Sequence, residues 1–166
     1  MLENFLVFLI SVITAIIASY STAQWSLKKF YSEKWWERKE RAYTEIIDAL
    51  YDLLQYCEIQ KGDFGQGSGY SENKMKLFRE KYNQAYWKIK KATDIGAFVV
   101  SSEAEIALKE LRDRQRPNWD DYDLWDIYED DYKYYQNTLE KIVNIARIDL
   151  KAKKNLKKFF NISFRL

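Results

Sequence analysis

The chain has no histidine. Imidazole is the side chain whose ordinary pKa lies nearest neutrality, so its absence excludes His-based acid–base catalysis, His metal ligands and every triad built on imidazole. Cysteine is reduced to Cys57, so no disulfide can form within the chain. On an apolar helical face, Cys57 reads as a buried, inert thiol. One proline and five glycines are few breakers, which favours long helices. Charge is nearly missing from residues 1–27, where Glu3 stands alone. A positive charge before the first apolar run, expected of a cleaved signal peptide, is missing too.

What is present is aromatic and charged. Aromatic residues make up 17% of the 166 positions and charged ones 31%, a composition that argues against disorder. The length favours a single domain beside any anchor. Residues 5–20, extended to Trp25, give about 20 residues without a charge, enough to cross a bilayer as a helix. Lys28, Lys29, Lys34, Arg38, Lys39 and Arg41 follow it. By the positive-inside rule, they predict a single-pass anchor with its N-terminus outside and the rest cytoplasmic. A signal peptide and a buried core helix are the competing readings. Trp25, Lys28, Lys29 and Phe30 are the expected membrane-interface residues. Ser11, Ala15 and Ser19 lie four apart, as do Thr14, Ala18 and Thr22, and either row would let transmembrane helices approach closely. Self-association is assigned to Ser11, Ala15 and Ser19.

Beyond the anchor the apolar period is helical. From Ser26 to about Gln60 the stripe is Trp36, Tyr43, Ile47, Leu50, Leu54 and Cys57, flanked by Ile46 and Leu53. Trp36 is its expected first core residue, and Trp35 faces a neighbouring subunit. Residues 61–73 hold four of the five glycines and read as a turn. They lack the Gly-Lys-Ser/Thr ending and the preceding strand of a phosphate-binding loop. A second helix over about 71–93 carries Leu77, Phe78, Tyr82, Ala85, Tyr86, Ile89 and Ala92 inward, with a lysine-rich outside. Ile95 to Val100 form a packed turn. Ser102 with Glu105 has the spacing of a capping box and opens a short helix with Ile106, Leu108 and Leu111 as its apolar positions, stopped by Pro117. The last helix, over about 120–154, is capped by Asp120 or Asp121. It buries Trp125, Tyr128, Tyr132, Tyr135, Leu139, Ile142, Ala146 and Leu150.

Charge is distributed unevenly. Residues 120–131 hold seven acids and no base, and residues 147–166 seven bases and one acid, Asp149. Asp123, Asp126 and Asp130 share a helix face. Such oxygens suit hard cations, but the spacing and turn glycine of an EF-hand are missing. The face therefore reads as solvated, open to a protein partner, to the basic residues after the anchor or to a neighbouring subunit. No metal and no cofactor is expected. Arg112, Arg114 and Arg116 suit a helix C-terminus, with phosphate or RNA binding as the alternative. Residues 155–166 are basic with interleaved Phe. They form a loose tail, a segment on the anionic leaflet or a nucleic-acid contact.

One pattern carries a resemblance. An N-terminal anchor leads into Glu33-Lys34-Trp35-Trp36-Glu37-Arg38-Lys39, then Ala42-Tyr43, Ile46-Ile47 and Ala49-Leu50. Ile95-Gly96-Ala97-Phe98 and Ser102-Glu103-Ala104 follow. Over roughly residues 1–110 this resembles small bacterial membrane-anchored helical proteins. The layout is similar to the membrane accessory proteins of type VI-B CRISPR systems, which carry a HEPN-like domain and assemble as membrane pores. HEPN ribonucleases place a His four to six residues after an Arg. Here Asn118 follows Arg112 instead. The resemblance therefore implies a non-enzymatic effector.

The expected fold is all-α: an N-terminal transmembrane helix (1–25), an antiparallel helical bundle of three long helices and one short (26–154), and a basic-aromatic tail (155–166). The expected function is that of a protein of the bacterial inner membrane that contacts lipids, self-assembles as a homo-oligomer and works as an interaction or effector component, permeabilising membranes in phage defence. The alternatives are a membrane-tethered HEPN-like RNA-binding module, for which nucleic acid is not the favoured partner, and a scaffold for a protein partner.

Overall fold

The computed structural model describes residues 2–66, 69–96, 99–115 and 123–162, with side chains over 3–63, 69–96, 99–115 and 123–151. The protein is all-α, with four helices and no strand among the described residues: α1 (Leu2–Gln66), α2 (Glu72–Ile95), α3 (Ser102–Asp113) and α4 (Leu124–Ile162). The chain divides into two compact units, Met1–Arg38 and Lys39–Leu166. The division falls after Arg38, beyond the expected end of the anchor at residue 25.

In the first unit, α1 carries a run long and apolar enough to cross a membrane, and none of that run is buried inside the protein. Its hydroxyls are satisfied locally. Ser11 donates to the Val7 carbonyl at 2.8 Å, Thr14 to Ile10 at 2.7 Å, Ser19 to Ala15 at 2.8 Å and Thr22 to Ala18 at 2.8 Å. Each bond returns one turn, so the four hydroxyls need no water, the condition a lipid environment imposes.

The second unit is a bundle. Lys39 and Tyr43 of α1 meet Asp149 of α4, while Lys61 meets Glu129, so α1 and α4 run antiparallel. Arg114, just past α3, reaches Asp130 and Asp131, and Glu110 reaches Lys141, which sets α3 antiparallel to α4. The core gathers Tyr43, Ile46, Ala49, Leu50, Leu53 and Cys57 of α1, Ala85 and Ile89 of α2, Ala104, Ala107 and Leu108 of α3, and Tyr135, Ile142 and Ala146 of α4. Each fully buried Leu or Ile contributes about 1.5–3 kcal/mol over its exposed state.

The inward faces differ from the expected ones by a fraction of a turn. In α1, Ile46 and Ala49 lie at the centre and Ile47 is only partly buried. Trp36 is half-buried and the core starts at Tyr43. In α2, Leu77 and Tyr86 are exposed, and Thr93 is buried with its hydroxyl on the Ile89 carbonyl at 2.8 Å. In α3, Ile106 is exposed and the alanines Ala104 and Ala107 are buried, because small residues let α3 approach its neighbours closely. In α4, Trp125 is exposed and Ile127 replaces it in the interior.

Two boundaries also move. α1 continues past Gly62 to Gln66. Gln60 is buried, and Lys61 is pinned by Glu129 and lies 3.9 Å from the Tyr132 ring centroid, so tertiary contacts outweigh the low helix propensity of glycine. Gly69, between α1 and α2, has a φ of 63°, which favours a residue without a Cβ. At the other end α4 continues to Ile162, through the first part of the segment expected as a tail. Between α2 and α3, the amides of Val99 and Val100 both bond to the Gly96 carbonyl at 3.0 Å. This is the turn expected there, and Val100 is its buried anchor. Phe98, Asp120, Asp121 and Asn118 lie outside the described residues.

Candidate functional site

Arg114 lies just beyond the last turn of α3. Its side chain is 10% exposed and that of its partner Asp131 is 5% exposed. Nη1 donates to Asp131 Oδ1 at 2.8 Å, and Nη2 donates to Asp130. The guanidinium lies 4.5 Å from the centroid of the Tyr134 ring, and the Tyr134 hydroxyl donates to the Glu110 carbonyl at 3.3 Å. A planar, delocalised cation suits both a carboxylate pair and a ring face. The sequence reading sets Asp130 on a solvated acidic face and counts Asp131 only among the seven acids of residues 120–131. Charge alone could not show that one of these acids turns inward. The helical period could have, because Asp131 lies four residues after Ile127 and four before Tyr135, both buried.

Arg112 is half a turn away and more exposed. It bonds Asp113 at 2.8 Å and Asp94 of α2 at 3.2 Å. Asp113 raises the Arg112 pKa further and is itself held below the usual carboxylate range by Arg112. Arg112 and Arg114 are therefore both already engaged by carboxylates. Arg116 lies outside the described residues. Asp123 and Asp126 are exposed near the start of α4, while Asp130 turns to Arg114.

Arg112 and Arg114 help to line a cleft of about 300 Å³. Leu53, Ile89 and Leu111 give it apolar surface, and Tyr86 and Tyr135 complete the lining together with Lys90. A concave, mostly apolar surface with a few convergent polar groups is the usual form of a small-molecule site. An anion entering it would compete with the carboxylates already on the two arginines. Among the described residues, no three His, Cys, Asp or Glu side chains stand together as metal ligands.

A second polar centre ties three helices. The Tyr43 hydroxyl donates to Asp149 Oδ2 at 2.7 Å and accepts from the Ser101 amide at 3.2 Å. Asp149 also takes Lys39 Nζ at 2.6 Å. Burial, reinforced by Asp149 and opposed by Ser101, raises the Tyr43 pKa above the ordinary phenol value. Near α1's end, Glu129 accepts from Lys61 at 2.6 Å and Lys133 at 3.1 Å, and both hold its carboxyl below the usual range. Tyr56 packs on Tyr82 at 4.5 Å between centroids and edge-on to Tyr128 at 6.1 Å. These groups hold helices together.

In the first unit, Trp25 and Phe30 are exposed, as are Lys28 and Lys29. Ser11, Ala15 and Ser19 lie on the exposed apolar run. Comparison with protein-family models, curated proteins and solved structures found no match for the chain.

Proposed function

We propose that the chain is a bacterial inner-membrane protein that self-assembles and acts by interaction. In this reading residues 1–25 are a single-pass anchor, with the N-terminus outside and the bundle on the cytoplasmic side. The observation that carries it is the apolar run of α1, which crosses no core of its own and is followed by Lys28, Lys29, Lys34, Arg38 and Lys39. Such a run needs an apolar solvent, and the cations after it fit the cytoplasmic face. Trp25 and Phe30 suit the headgroup level beside those lysines. Ser11, Ala15 and Ser19 give the anchors a face on which to pack. The absence of histidine, and arginines that already hold carboxylates, favour an interaction role over RNA chemistry. The effector role, a change in membrane permeability during phage defence, extends the resemblance to the membrane accessory proteins.

The test is the mass of the full chain in mild detergent, measured by light scattering across concentration, together with dye leakage on overexpression. The expected result is an oligomer that shrinks when Ser11, Ala15 and Ser19 are replaced by Ile. A strict monomer at every concentration with no leakage would sink the proposal.

A further inference from the structure

We propose that the outward face of α2 docks on the start of α4 of a second copy of this chain. This rests on the self-assembly reading and names the bundle surfaces that assembly would use.

α2 turns Ala85, Ile89 and Thr93 inward. At about 100° per residue, Trp87 then points almost opposite to them, and its side chain is 61% exposed. Leu77, Tyr86 and Ile95 are exposed on the same helix. Trp87 lies in a shallow depression of about 400 Å³ with Asn83, Gln84, Lys88 and Lys91. Lys90 Nζ lies 4.8 Å from the Trp87 ring centroid. Lys88 and Lys91 make no ion pair with any described residue. A large ring at the outermost position of a helix is left mostly in solvent by its own bundle. Beside unmatched charge, it marks an interaction surface, and Trp is among the side chains enriched at the centre of such surfaces.

The complement is on the same chain. Leu124 and Trp125 are exposed at the start of α4. Asp123 and Asp126 are exposed beside them and pair with no described residue. Glu129, Asp130 and Asp131 farther along are already held by Lys61, Lys133 and Arg114. The acidic surplus is therefore concentrated at the helix start. Lys88 and Lys91 are one turn apart, as are Asp123 and Asp126, and each pair has a Trp beside it in sequence. Two such faces laid together join two ion pairs and cover two indoles.

The partner is a second copy, because exposure of both faces shows that neither covers the other within one chain. A nucleic acid would take the lysines and stack on Trp87, but it would leave Asp123, Trp125 and Asp126 uncovered. The contact joins unlike surfaces, so each copy keeps one free face of each kind. Such contacts grow into rings or open filaments beyond the dimer.

The experiment uses the full chain in detergent, with mass followed against concentration and salt. K88E/K91E is expected to weaken association by about tenfold or more and to remove species above the dimer, and D123K/D126K to do the same. Mixing the two variants is expected to restore pairing, and so is combining all four changes in one chain. Restoration by combination separates a lost contact from a lost fold, and helix content by circular dichroism checks each variant. If the wild type assembles and both reversed variants assemble equally well, this contact is wrong and assembly runs through another surface. If the wild type is a strict monomer, the self-assembly reading fails and this contact with it. If K88E/K91E leaves the mass unchanged but loses binding to anionic vesicles or to single-stranded RNA, the face belongs to that partner and the proposal is overturned.

Discussion

Arg114 shows what one side chain can decide in a small bundle. It is nearly enclosed, shares two carboxylates and lies over a ring. Removing it takes the Arg114 guanidinium away from the buried Asp131 carboxylate. Breaking a buried pair from one side costs about 3–5 kcal/mol, because a charge is left uncompensated. Arg114→Ala is therefore expected to lower stability by about that amount in urea unfolding followed by circular dichroism. The double change R114A/D131A is expected to cost less than the sum of the single changes. A loss within about 1 kcal/mol, the range of an exposed pair, would show that Asp131 does not depend on Arg114. The sequence suggested an arginine cluster and an acidic cluster but not the bond between them. Arg114 and Asp131 belong to different elements, and only the antiparallel packing of α3 on α4 brings them together.

At the scale of elements, the start of α3 is the most informative boundary. The spacing of Ser102 and Glu105 suggests a capping box, but the cap is Ser101, whose Oγ accepts from the Ala104 amide at 3.3 Å. Glu105 instead pairs with Lys109, and the Ser102 hydroxyl turns to Glu103. The deciding contact is remote in sequence: the Tyr43 hydroxyl accepts from the Ser101 amide, and its oxygen lies 3.3 Å from the Ser101 Oγ, fixing Ser101 as the last extended residue. Ser101→Ala is expected to cost about 1–2 kcal/mol for a lost cap, and Ser102→Ala close to nothing. Equal losses in thermal unfolding would return the cap to Ser102. Helix number and order were legible, because apolar residues recur at helical spacing through all four elements. The inward face was less so. A stripe read from large side chains passes over Ala104 and Ala107 and takes in Leu77, Ile106 and Trp125, which the structure leaves in solvent. Close approach of backbones, which selects alanine, leaves no mark in hydrophobicity alone. The end of α1 was also misplaced, because Gly62 signals a stop that Lys61, held to α4, overrides.

For the molecule as a whole, the phenols set the alkaline limit. Burial, with Tyr56 close by, raises the Tyr128 pKa, and burial with Asp149 raises that of Tyr43. The folded chain thus keeps protons that the unfolded chain gives up near pH 10. Stability from these two groups is complete below about pH 10 and falls as pH rises from there through the folded values. The urea midpoint is therefore expected to hold from pH 7 to 9 and to drop above 10. Tyr128→Phe, which has no proton to lose, should flatten that drop. An unchanged slope in the variant would remove Tyr128 as a cause. The same bundle encloses Cys57 completely, and this has a practical consequence. The only thiol in the chain is shut away from reagents while α1, α2 and α4 stay packed, so its alkylation runs no faster than the bundle opens. Cys57 is in effect a built-in clock for that opening, and it leaves the surface clear for a single engineered thiol to be labelled alone.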